Sequence, residues 1–396
     1  MQNGQPGHLN PGAKDWTHGT GQRLDRQSKT RILGGTQLLS ERPEMFLPAY
    51  YCMSHILEDF WSGRRTLLIA EVGINHNGDL DLARKSIEFA VQAGANAVKF
   101  QNYRTEEFLS DRSLTYEYIS QGEQVVESQF DMFKRCELKR EWLPALKETC
   151  DQNNVLFLST PMGIEGLQDL IRIGVPMLKN GSDCLQHIPL IQAMAQTGLP
   201  TIISTGMATF DDVREAVEAY REAGGKDLIL MHCTSAYPTP PADVNLKKIP
   251  VLARAFNCPV GLSDHSAGII AALGSVALGV RIIEKHFTVD RNLPGPDHGF
   301  SSDPAEFKLL VDSVRELELC LGSEVIAPAG SERQGRGAFR LSCVAARDLP
   351  AGHVLTQADI AFRRPGYGLP PKEIGKLLGR RVPKAIKNGY MFTLEK

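Results

Sequence analysis

Residues 201–233 read TIISTGMATFDDVREAVEAYREAGGKDLILMHC, and the pattern of their side chains decides the fold. The stretch begins and ends with short apolar runs, TIISTG and LILMHC, which are typical of strands buried on both faces. Between them, Thr209 can cap a helix over residues 209–225 and Gly224 can end it. Four residues share one face of that helix: Val213, Ala216, Val217 and Tyr220. The stretch therefore predicts a strand, a helix and a second strand.

The same alternation of short apolar runs and helical stretches continues on both sides of this unit. Eight apolar runs are present, at 67–72, 97–101, 155–160, 176–182, 201–206, 228–233, 259–265 and 280–286. Eight strands that are each followed by a helix predict an α/β fold of the (β/α)₈ TIM-barrel type, about 250 residues long. Residues 102–140 interrupt the pattern, and we expect them to form a loop with some helix that covers the substrate.

The rest of the chain differs in composition from this barrel. Residues 1–44 are rich in Gly, Gln, Asn and Arg without any period, so we expect disorder there, and residues 45–61 can form one short amphipathic helix. After the barrel, Pro and Gly break up short strand-like pieces, which predicts a small β-rich domain of irregular fold. The predicted division is an N-terminal extension over 1–63, the barrel over 64–322, a flexible polar linker over 323–337 and the small domain over 338–396.

Composition excludes several classes of protein. The formal net charge is -2, from 44 basic and 46 acidic residues, which argues against binding to nucleic acid by neutralising phosphates. The sequence has no run of 18 apolar residues, so no membrane span is predicted. Its eight cysteines form no Cys-x-x-Cys pair, and the N-terminus lacks the order of a secretory signal. These features predict a protein of a reducing compartment, the cytoplasm.

Polar side chains end every predicted strand of the barrel, and the active site of such barrels lies at the C-terminal ends of the strands. The candidate residues among them are Glu71, Lys99, Gln101, Thr160, Lys179, Ser182, Ser204, Ser263, His265, Glu284 and His286. Strand six ends in His232 and Thr234; no partner spacing singles out His232 or Cys233, so we expect both to be structural. Because residues two apart on a strand share a face, an inward Ile282 implies that Glu284 and His286 also point inward and that Lys285 points outward. The pattern predicts one shared site.

His265 and His286 end the neighbouring strands seven and eight, so both imidazoles can reach one point. Two imidazoles without a thiolate suit a divalent metal with open coordination positions, and Mn²⁺ or Mg²⁺ fits better than zinc, which usually takes a third protein ligand. Each histidine on its own could instead be a hydrogen-bonded structural residue.

Lys99 and Lys179 end two other strands at the same mouth, where hydroxyl groups accompany them and Gly181 and Gly206 are expected to expose their backbone amides. This set suits a phosphate or carboxylate anion, although a lysine that forms a Schiff base is an alternative. Glu71 can act as an acid or base, or simply pair with a lysine. Tyr237 and Asp297 are further candidates at the edge of the cavity, where each could also anchor a turn.

A family resemblance emerges from the motifs taken together. The segments IAEVGINHNGD, AVKFQ, LKNGSD, IISTGMA, HCTSAYPTPPADVNL, GLSDH and EKHFTVDRNLPGPDH resemble those of the sialic acid synthases, which make nonulosonic acids from phosphoenolpyruvate. Residues 338–396 resemble the antifreeze-like SAF domain of the same family. The resemblance implies a cytoplasmic transferase that condenses phosphoenolpyruvate with an N-acetylmannosamine-type sugar to a nine-carbon 2-keto acid and phosphate.

The resemblance also implies a role for individual residues. It assigns the metal, Mn²⁺ or Mg²⁺, to His265 and His286. It makes Glu71, Lys99, Lys179 and Glu284 catalytic. It assigns substrate binding to Gln101, Thr160, Ser182, Ser204, Tyr237, Ser263, Asp297 and Arg364. In a domain-swapped homodimer, Arg364 of the small domain would reach the sugar end of a neighbour's barrel.

Two departures from the family pattern bear on the sugar. Asp183 and Cys184 follow Ser182 where makers of N-acetylneuraminate often have Gly and Glu, and Ser235 replaces a frequent Asn. A 2,4-diacetamido-trideoxyhexose, which gives legionaminic or pseudaminic acid, is therefore an alternative acceptor. A synthase acting on a sugar phosphate is a more distant alternative, and a non-catalytic polysaccharide or ice binder would not need the inward lysines, histidines and glutamate.

Overall fold

The computed structural model describes the backbone of residues 47–393 and the side chains of residues 55–393. The disorder expected for residues 1–44 therefore lies outside the described residues. Within them, the strands are β1 (Leu67–Gly73), β2 (Ala97–Asn102), β3 (Thr115–Ser120), β4 (Glu123–Ser128), β5 (Leu156–Pro161), β6 (Leu178–Asn180), β7 (Thr201–Ser204), β8 (Leu228–Cys233), β9 (Val260–Asp264), β10 (Ile282–His286), β11 (Ser342–Ala345) and β12 (Ile360–Arg363).

The α-helices of the same part of the chain separate these strands. They are α1 (Leu47–Ser62), α2 (Leu80–Gln92), α3 (Thr105–Phe108), α4 (Gln129–Arg135), α5 (Leu143–Gln152), α6 (Ile164–Ile173), α7 (Ile188–Gln196), α8 (Phe210–Glu222), α9 (Lys248–Phe256), α10 (Ile270–Ala277), α11 (Pro304–Leu321) and α12 (Arg333–Phe339).

Eight parallel strands form a nearly closed barrel. Their order is β5-β2-β1-β10-β9-β8-β7-β6, and the two ends of this order, β5 and β6, lie in contact. Neighbours around the barrel are therefore also successive barrel strands along the chain. Each of them is followed by a helix that packs outside the sheet, which confirms the predicted TIM-like fold.

The helix α8 shows how local chemistry sets the ends of these elements. Thr209 Oγ1 accepts a hydrogen bond from the Asp212 amide (3.2 Å), and Asp212 Oδ2 accepts one from the Thr209 amide (2.8 Å). This reciprocal cap satisfies two amide groups at the start of the helix. At the other end Gly224 has a φ of +94°, a conformation that glycine adopts without strain. Both predicted ends are confirmed.

The inner surface of the barrel has an apolar floor. The floor is formed by side chains from the first half of the strands and by residues just before them: Leu67, Ile69, Ala97, Leu156, Leu158, Met177, Ile202, Ile229, Met231 and Ile282. Phe60 of α1 is 2% exposed and packs against this group, with Ile56 and Leu57 beside it. The short helix that the sequence predicted is thus a plug that closes the N-terminal end of the barrel.

The interruption between β2 and α5 is more ordered than the predicted loop. It consists of α3, an antiparallel hairpin of β3 and β4, and α4. Aromatic side chains tie it together, since the ring centroids of Tyr103 and Phe133 lie 5.5 Å apart and those of Phe108 and Phe133 lie 5.0 Å apart. The hairpin was missed because its strands pair only with each other and not with the barrel.

The C-terminal domain has a small core of its own around the antiparallel pair of β11 and β12. The predicted β-rich domain of irregular fold is confirmed. The linker is not a flexible coil throughout, because α12 occupies Arg333–Phe339. Glu332 Oε2 accepts a hydrogen bond from the Ala329 amide (2.7 Å) just before this helix, which satisfies an amide where the turn begins.

Two findings, on membrane spans and on cysteines, hold for the described residues only. No described helix is long and apolar enough to cross a membrane. The seven cysteines between Cys136 and Cys343 are all free thiols.

The plug predicts a stability effect at Phe60. Phe60→Ala should lower the free energy of unfolding by about 3–5 kcal/mol, because it leaves a cavity between α1 and the floor. Urea unfolding measures this loss. The matched control is Trp61→Ala on the same helix turn, where the side chain is 41% exposed and the loss should be about 1 kcal/mol. Equal losses for the two variants would show that α1 does not close the barrel.

Candidate active site

The C-terminal ends of the eight barrel strands surround one cavity of about 460 Å³. Every residue that the sequence placed in the site except Arg364 lines this cavity: Glu71, Lys99, Gln101, Thr160, Lys179, Ser182, Ser204, Tyr237, Ser263, His265, Glu284, His286 and Asp297. The parity argument for β10 is confirmed. Ile282 belongs to the floor, whereas Lys285 points outward and its Nζ donates to Asp264 Oδ2 (2.9 Å).

Lys99 is a buried cation between two carboxylates. Its Nζ lies 3.0 Å from Glu71 Oε2 and 3.5 Å from Glu284 Oε1, and it donates to Thr160 Oγ1 at 3.0 Å. Burial opposes its charge, but Glu284 and Glu71 outweigh burial and raise the pKa of Lys99. Lys99 is therefore a fixed positive charge.

Lys179 is equally buried but has different partners. Its Nζ donates to Ser204 Oγ (2.7 Å) and to the Asn180 carbonyl (3.2 Å), which are neutral groups. Burial lowers the pKa of Lys179, while Glu284 partly offsets that effect. An anion that entered the cavity here would supply the counter-charge that these neutral partners do not.

The two glutamates beside the lysines differ in their pKa. Burial raises the pKa of Glu71 to about 7, although Lys99 opposes the shift. Burial also disfavours the charge of Glu284, but Lys179, Lys99 and His265 together lower its pKa to about 2. Two nearby carboxyl groups with pKa values so far apart are suited to different roles: Glu284 stays ionised, and Glu71 can exchange a proton near neutral pH.

His265 and His286 face each other across the same side of the cavity, with ring centroids 5.3 Å apart. His265 Nδ1 donates to the Thr234 carbonyl (2.9 Å), so Nε2 is the ring nitrogen that faces the cavity, 3.4 Å from Ser263 Oγ. Burial lowers the pKa of His286 well below its usual value, and the neighbouring His265 adds to the effect. His286 is therefore neutral, which is the form of imidazole that binds a metal.

The donor atoms around this histidine pair fit a divalent metal. Glu284 Oε2 and His286 Nδ1 are buried without a hydrogen-bond partner in the described protein, and Asp297 Oδ2 lies 3.7 Å from His286 Nδ1. Imidazole nitrogen together with carboxylate oxygen suits Mn²⁺ or Mg²⁺. Among the described side chains no group of three or more His, Cys, Asp or Glu residues is placed so that it could hold a metal ion by itself. The two histidines would thus leave coordination positions open.

Tyr237 and Asp297 lie on the outer side of the histidines. The ring of Tyr237 stacks at an angle near His265, with centroids 4.3 Å apart, and remains 45% exposed. Burial raises the pKa of Asp297 to about 7. Both residues therefore present a polar group to a ligand that would sit between the histidines and solvent.

Hydroxyl and amide side chains complete the polar wall. Ser263 Oγ donates to Glu284 Oε1 (3.1 Å), Gln101 Nε2 donates to Glu71 Oε1 (3.3 Å) and Ser182 Oγ accepts from the Gly206 amide (3.0 Å). A Cβ at Gly206 would lie 2.6 Å from Ser182 Oγ, so any larger residue would displace the Ser182 hydroxyl group. Its amide is already bonded to Ser182, contrary to the expectation that it is exposed to ligand.

Several residues of the cavity were missed in the sequence. Cys233 faces the cavity with its Sγ 3.9 Å from His265 Nδ1, and strand parity with Ile229 and Met231 could have revealed it. The ordered interruption supplies an apolar wall that no strand pattern indicates. Its members, with two residues from the barrel loops, are Phe108, Tyr116, Met132, Phe133, Ile74 and Met162.

Three residues lie outside the cavity although they were candidates in the sequence analysis or belong to the motifs quoted there. Arg364 is exposed on the C-terminal domain, with its guanidinium 5.3 Å from the centre of the Phe339 ring, so it does not complete the site of its own chain. His232 Nε2 bonds the Val244 carbonyl and is structural. His76, in the NHNG segment after β1, is fully buried behind the cavity wall.

Comparison with known proteins agrees with the motifs. The NeuB family model matches residues 86–326, and the SAF domain model matches residues 342–396. The chain is 39% identical over 338 residues to N,N'-diacetyllegionaminic acid synthase of Legionella pneumophila, covering 84% of this chain and 95% of that protein. It is 36% identical over 332 residues to pseudaminic acid synthase of Campylobacter jejuni, covering 84% of this chain and 96% of that protein.

A solved structure of a similar protein agrees with these family and sequence matches. The structure of N-acetylneuraminic acid synthetase from Leptospira borgpetersenii superposes with a TM-score of 0.62 at 36% identity, covering 68% of this chain and 90% of that one. The resemblance seen in the sequence motifs is confirmed. With its family match, its curated relatives and its barrel in agreement, the chain belongs to the NeuB family of nonulosonic acid synthases.

Proposed function

We propose that this chain joins carbon 3 of phosphoenolpyruvate to the aldehyde of an open-chain N-acetylated amino sugar and releases phosphate and a nine-carbon 2-keto acid. The observation that carries this proposal is the arrangement of Lys99 and Lys179 deep in the cavity, opposite His265 and His286, with Glu71 and Glu284 between them. One end of the cavity suits a highly charged anion, and the other suits a polarised carbonyl group.

The lysine end fits phosphoenolpyruvate. Lys179 is buried beside the neutral Ser204 Oγ, so the phosphate or carboxylate of the substrate would stabilise its charged form. Thr160, Ser182, Ser263 and Gln101 add hydroxyl and amide groups on the same wall, which can donate to the remaining anionic oxygens.

The histidine end fits the sugar aldehyde. His265 Nε2 and His286 would hold Mn²⁺ or Mg²⁺, with Glu284 close by. When bound, such a metal polarises a carbonyl oxygen as a Lewis acid. Tyr237 and Asp297 would hold the polyol chain of the sugar and orient its aldehyde toward the lysine end.

Glu71 is the proton-handling group of the proposed reaction. As the new carbon–carbon bond forms, positive charge develops at carbon 2 of phosphoenolpyruvate, and the ionised carboxylates stabilise it. Water then adds to carbon 2, and Glu71, whose pKa burial raises to about 7, takes up the proton of that water. The bond between carbon 2 and the phosphate oxygen then breaks, the proton of the new hydroxyl group leaves with the phosphate, and a ketone remains. The oxygen of the former aldehyde takes up the proton that Glu71 received and becomes a hydroxyl group of the product.

The acceptor end favours an unphosphorylated sugar. Asp297 lies on the outer side of the histidines, with its Oδ2 3.7 Å from His286 Nδ1, and its carboxylate would repel a phosphate group on the sugar. We therefore rank a synthase acting on a sugar phosphate below one acting on a free sugar.

A second candidate acceptor is favoured by the apolar wall. Phe108, Met132, Phe133 and Met162 line the cavity, and Cys184 packs with its Sγ 4.0 Å from Met162 Sδ. A 6-deoxy sugar presents a methyl group in place of a hydroxyl group, so a 2,4-diacetamido-trideoxyhexose would leave fewer polar groups unpaired at this wall than N-acetylmannosamine. The product would then be legionaminic or pseudaminic acid, as the names of the two curated relatives suggest.

The function is tested by phosphate release from phosphoenolpyruvate with three acceptors: N-acetylmannosamine, a 2,4-diacetamido-trideoxyhexose and N-acetylmannosamine 6-phosphate. We expect release with one or both free sugars, a product of the corresponding mass and little release with the sugar phosphate. Lys179→Met, which keeps the length of the side chain but removes its charge, is the matched negative control. Release with the sugar phosphate alone, or with no acceptor, would contradict the proposal.

Metal dependence follows from the histidine pair. Activity should disappear on treatment with EDTA and return with Mn²⁺ or Mg²⁺, and the His265→Ala, His286→Ala double variant should not respond to either metal. His187→Asn is the control, because His187 caps α7 outside the cavity through a nitrogen that the Asn side chain can replace. Full activity of the double variant in metal-free buffer would refute the metal site.

We further propose that each site takes Arg364 from a second copy of the chain in a domain-swapped homodimer. Under conditions of subunit exchange, inactive Glu71→Ala and Arg364→Ala proteins should regain about a quarter of wild-type activity when mixed in equal amounts. Half of the dimers are then mixed, and one site in each mixed dimer carries neither lesion. A mixture of Glu71→Ala with Glu284→Ala should stay inactive, since both lesions lie in the barrel. Failure of the first mixture to recover would place Arg364 in its own chain's site or outside any site.

A further inference from the structure

Two loops behind the active-site wall hold each other in place. The first follows β1 over residues 74–79, and the second follows β10 over residues 287–302 and carries Asp297. Asn75 Nδ2 donates to the Phe287 carbonyl and to Ser301 Oγ, at 2.9 Å each. Ser301 Oγ in turn donates to the Asp297 carbonyl (2.6 Å). The first loop therefore reaches Asp297 through a short chain of hydrogen bonds.

A second connection joins the loops at their far end. Asn77 Nδ2 donates to the Pro294 carbonyl at 2.8 Å. At Gly295, whose φ is +148°, a Cβ would lie 3.0 Å from Asn77 Oδ1 and 2.8 Å from His298 Cδ2. The two loops approach each other so closely here that only glycine fits.

His76 and His298 are the buried titratable groups of this interface, and the proposed reaction uses neither of them. They are 0% and 1% exposed. His76 Nδ1 accepts from the Gly78 amide (3.1 Å), so the proton of His76 is on Nε2. Burial lowers the pKa of each ring to about 4, so both rings are neutral at neutral pH. The His298 ring lies near enough to His76 to add to the lowering of the His76 pKa.

His298 has the opposite tautomer. Its Nδ1 lies 2.7 Å from Thr288 Oγ1, and Thr288 Oγ1 donates its own proton to the Asp290 carbonyl (3.0 Å). His298 Nδ1 must therefore be the donor to Thr288, which leaves the lone pair on His298 Nε2. One ring thus offers a donor at Nε2 and the other offers an acceptor at Nε2.

Both of these Nε2 atoms are buried and have no hydrogen-bond partner in the described protein. Asn75 Oδ1 and Ser302 Oγ, which belong to the same two loops, are also buried and unpartnered. A buried water molecule typically has two to four polar partners, and a mixture of one donor, two acceptors and a hydroxyl suits it. Buried polar groups without a partner are costly, so the interface favours such an occupant.

We propose that one enclosed water molecule joins His76 Nε2 to His298 Nε2, and that the two histidines are positioning residues for Asp297. The water accepts from His76 and donates to His298. The bridge holds the loop next to Asp297, so that its carboxyl group keeps its distance from His286 and from the acceptor sugar. This role rests on the proposed function, because that function places the sugar at Asp297.

The kinetic test uses pairs of variants that separate the two ring nitrogens. His76→Asn and His298→Asn keep an amide near the position of Nδ1 but lose the group at Nε2, whereas His76→Gln and His298→Gln place an amide near Nε2. We expect each Asn variant to lower kcat/KM for the sugar about tenfold or more, with KM for phosphoenolpyruvate changed less than about twofold. The Gln variants should recover much of the loss.

An Asp297→Asn background shows whether the histidines act through Asp297. If they do, adding His76→Asn to Asp297→Asn should cause no further loss, and the double variant of both histidines should be no worse than either single variant. Losses that add in full, or that affect the two substrates equally, would overturn the positioning role.

A measurement without substrate keeps the proposal separate from the proposed function. Nitrogen NMR of the full chain labelled in histidine should show His76 protonated at Nε2 and His298 protonated at Nδ1, each neutral and with a slowly exchanging proton. A high-resolution crystal structure should show a water molecule within hydrogen-bond distance of both Nε2 atoms. Identical tautomers, or no water between the rings, would refute the bridge even if the enzyme condenses its substrates as proposed.

Discussion

Strand alternation inside a closed barrel is the constraint on which this molecule depends. On β10, Ile282 belongs to the apolar floor, and Glu284 and His286 then face the cavity. The register between neighbouring strands keeps such positions level, so that Glu71 is paired with Lys99 on one side and with His286 on the other. A shift of one residue in any of these strands would turn a charged side chain into the apolar layer beneath the helices. The floor and the site are therefore specified together.

The distribution of charge in the cavity follows from the need to compensate buried ions. Lys99 has two carboxylates within reach, whereas Lys179 bonds a hydroxyl and a carbonyl group. An anion bound beside Lys179 would therefore favour the protonated form of this lysine, and the protonated lysine would in turn favour binding of the anion. At the opposite end, burial keeps His286 neutral, whereas Glu284 stays ionised against the effect of burial because Lys179 and Lys99 lie near it.

The sequence predicted the barrel, its strand ends and the facing of most site residues, because these follow from a period of two and from the short range of helix caps. The period applied equally to Cys233, which shares a face with Met231, but no partner at a recognisable spacing indicated a role for it, so its place in the cavity was not predicted. Other features depend on distant partners. Phe60 is buried by residues of many barrel strands, the most distant in sequence being Ile282. Phe108 and Phe133 pack together in the interruption after β2, where the hairpin strands pair only with each other. The helix α12 lies in a segment whose glycines indicated a coil.

The position of α1 also has a consequence for the order in which the molecule is assembled. This helix precedes the first strand, yet Phe60 packs on a floor that includes Ile282, and β1 pairs with β10 through contacts such as Leu67 with Ile282. The floor is complete only when the last barrel strand has taken its place. Contacts so far apart in sequence slow folding, because the chain loses the entropy of a long loop before those contacts form. Docking of α1 is therefore a late event, and a fluorescence change at Trp61, beside Phe60, would report closure of the barrel during refolding.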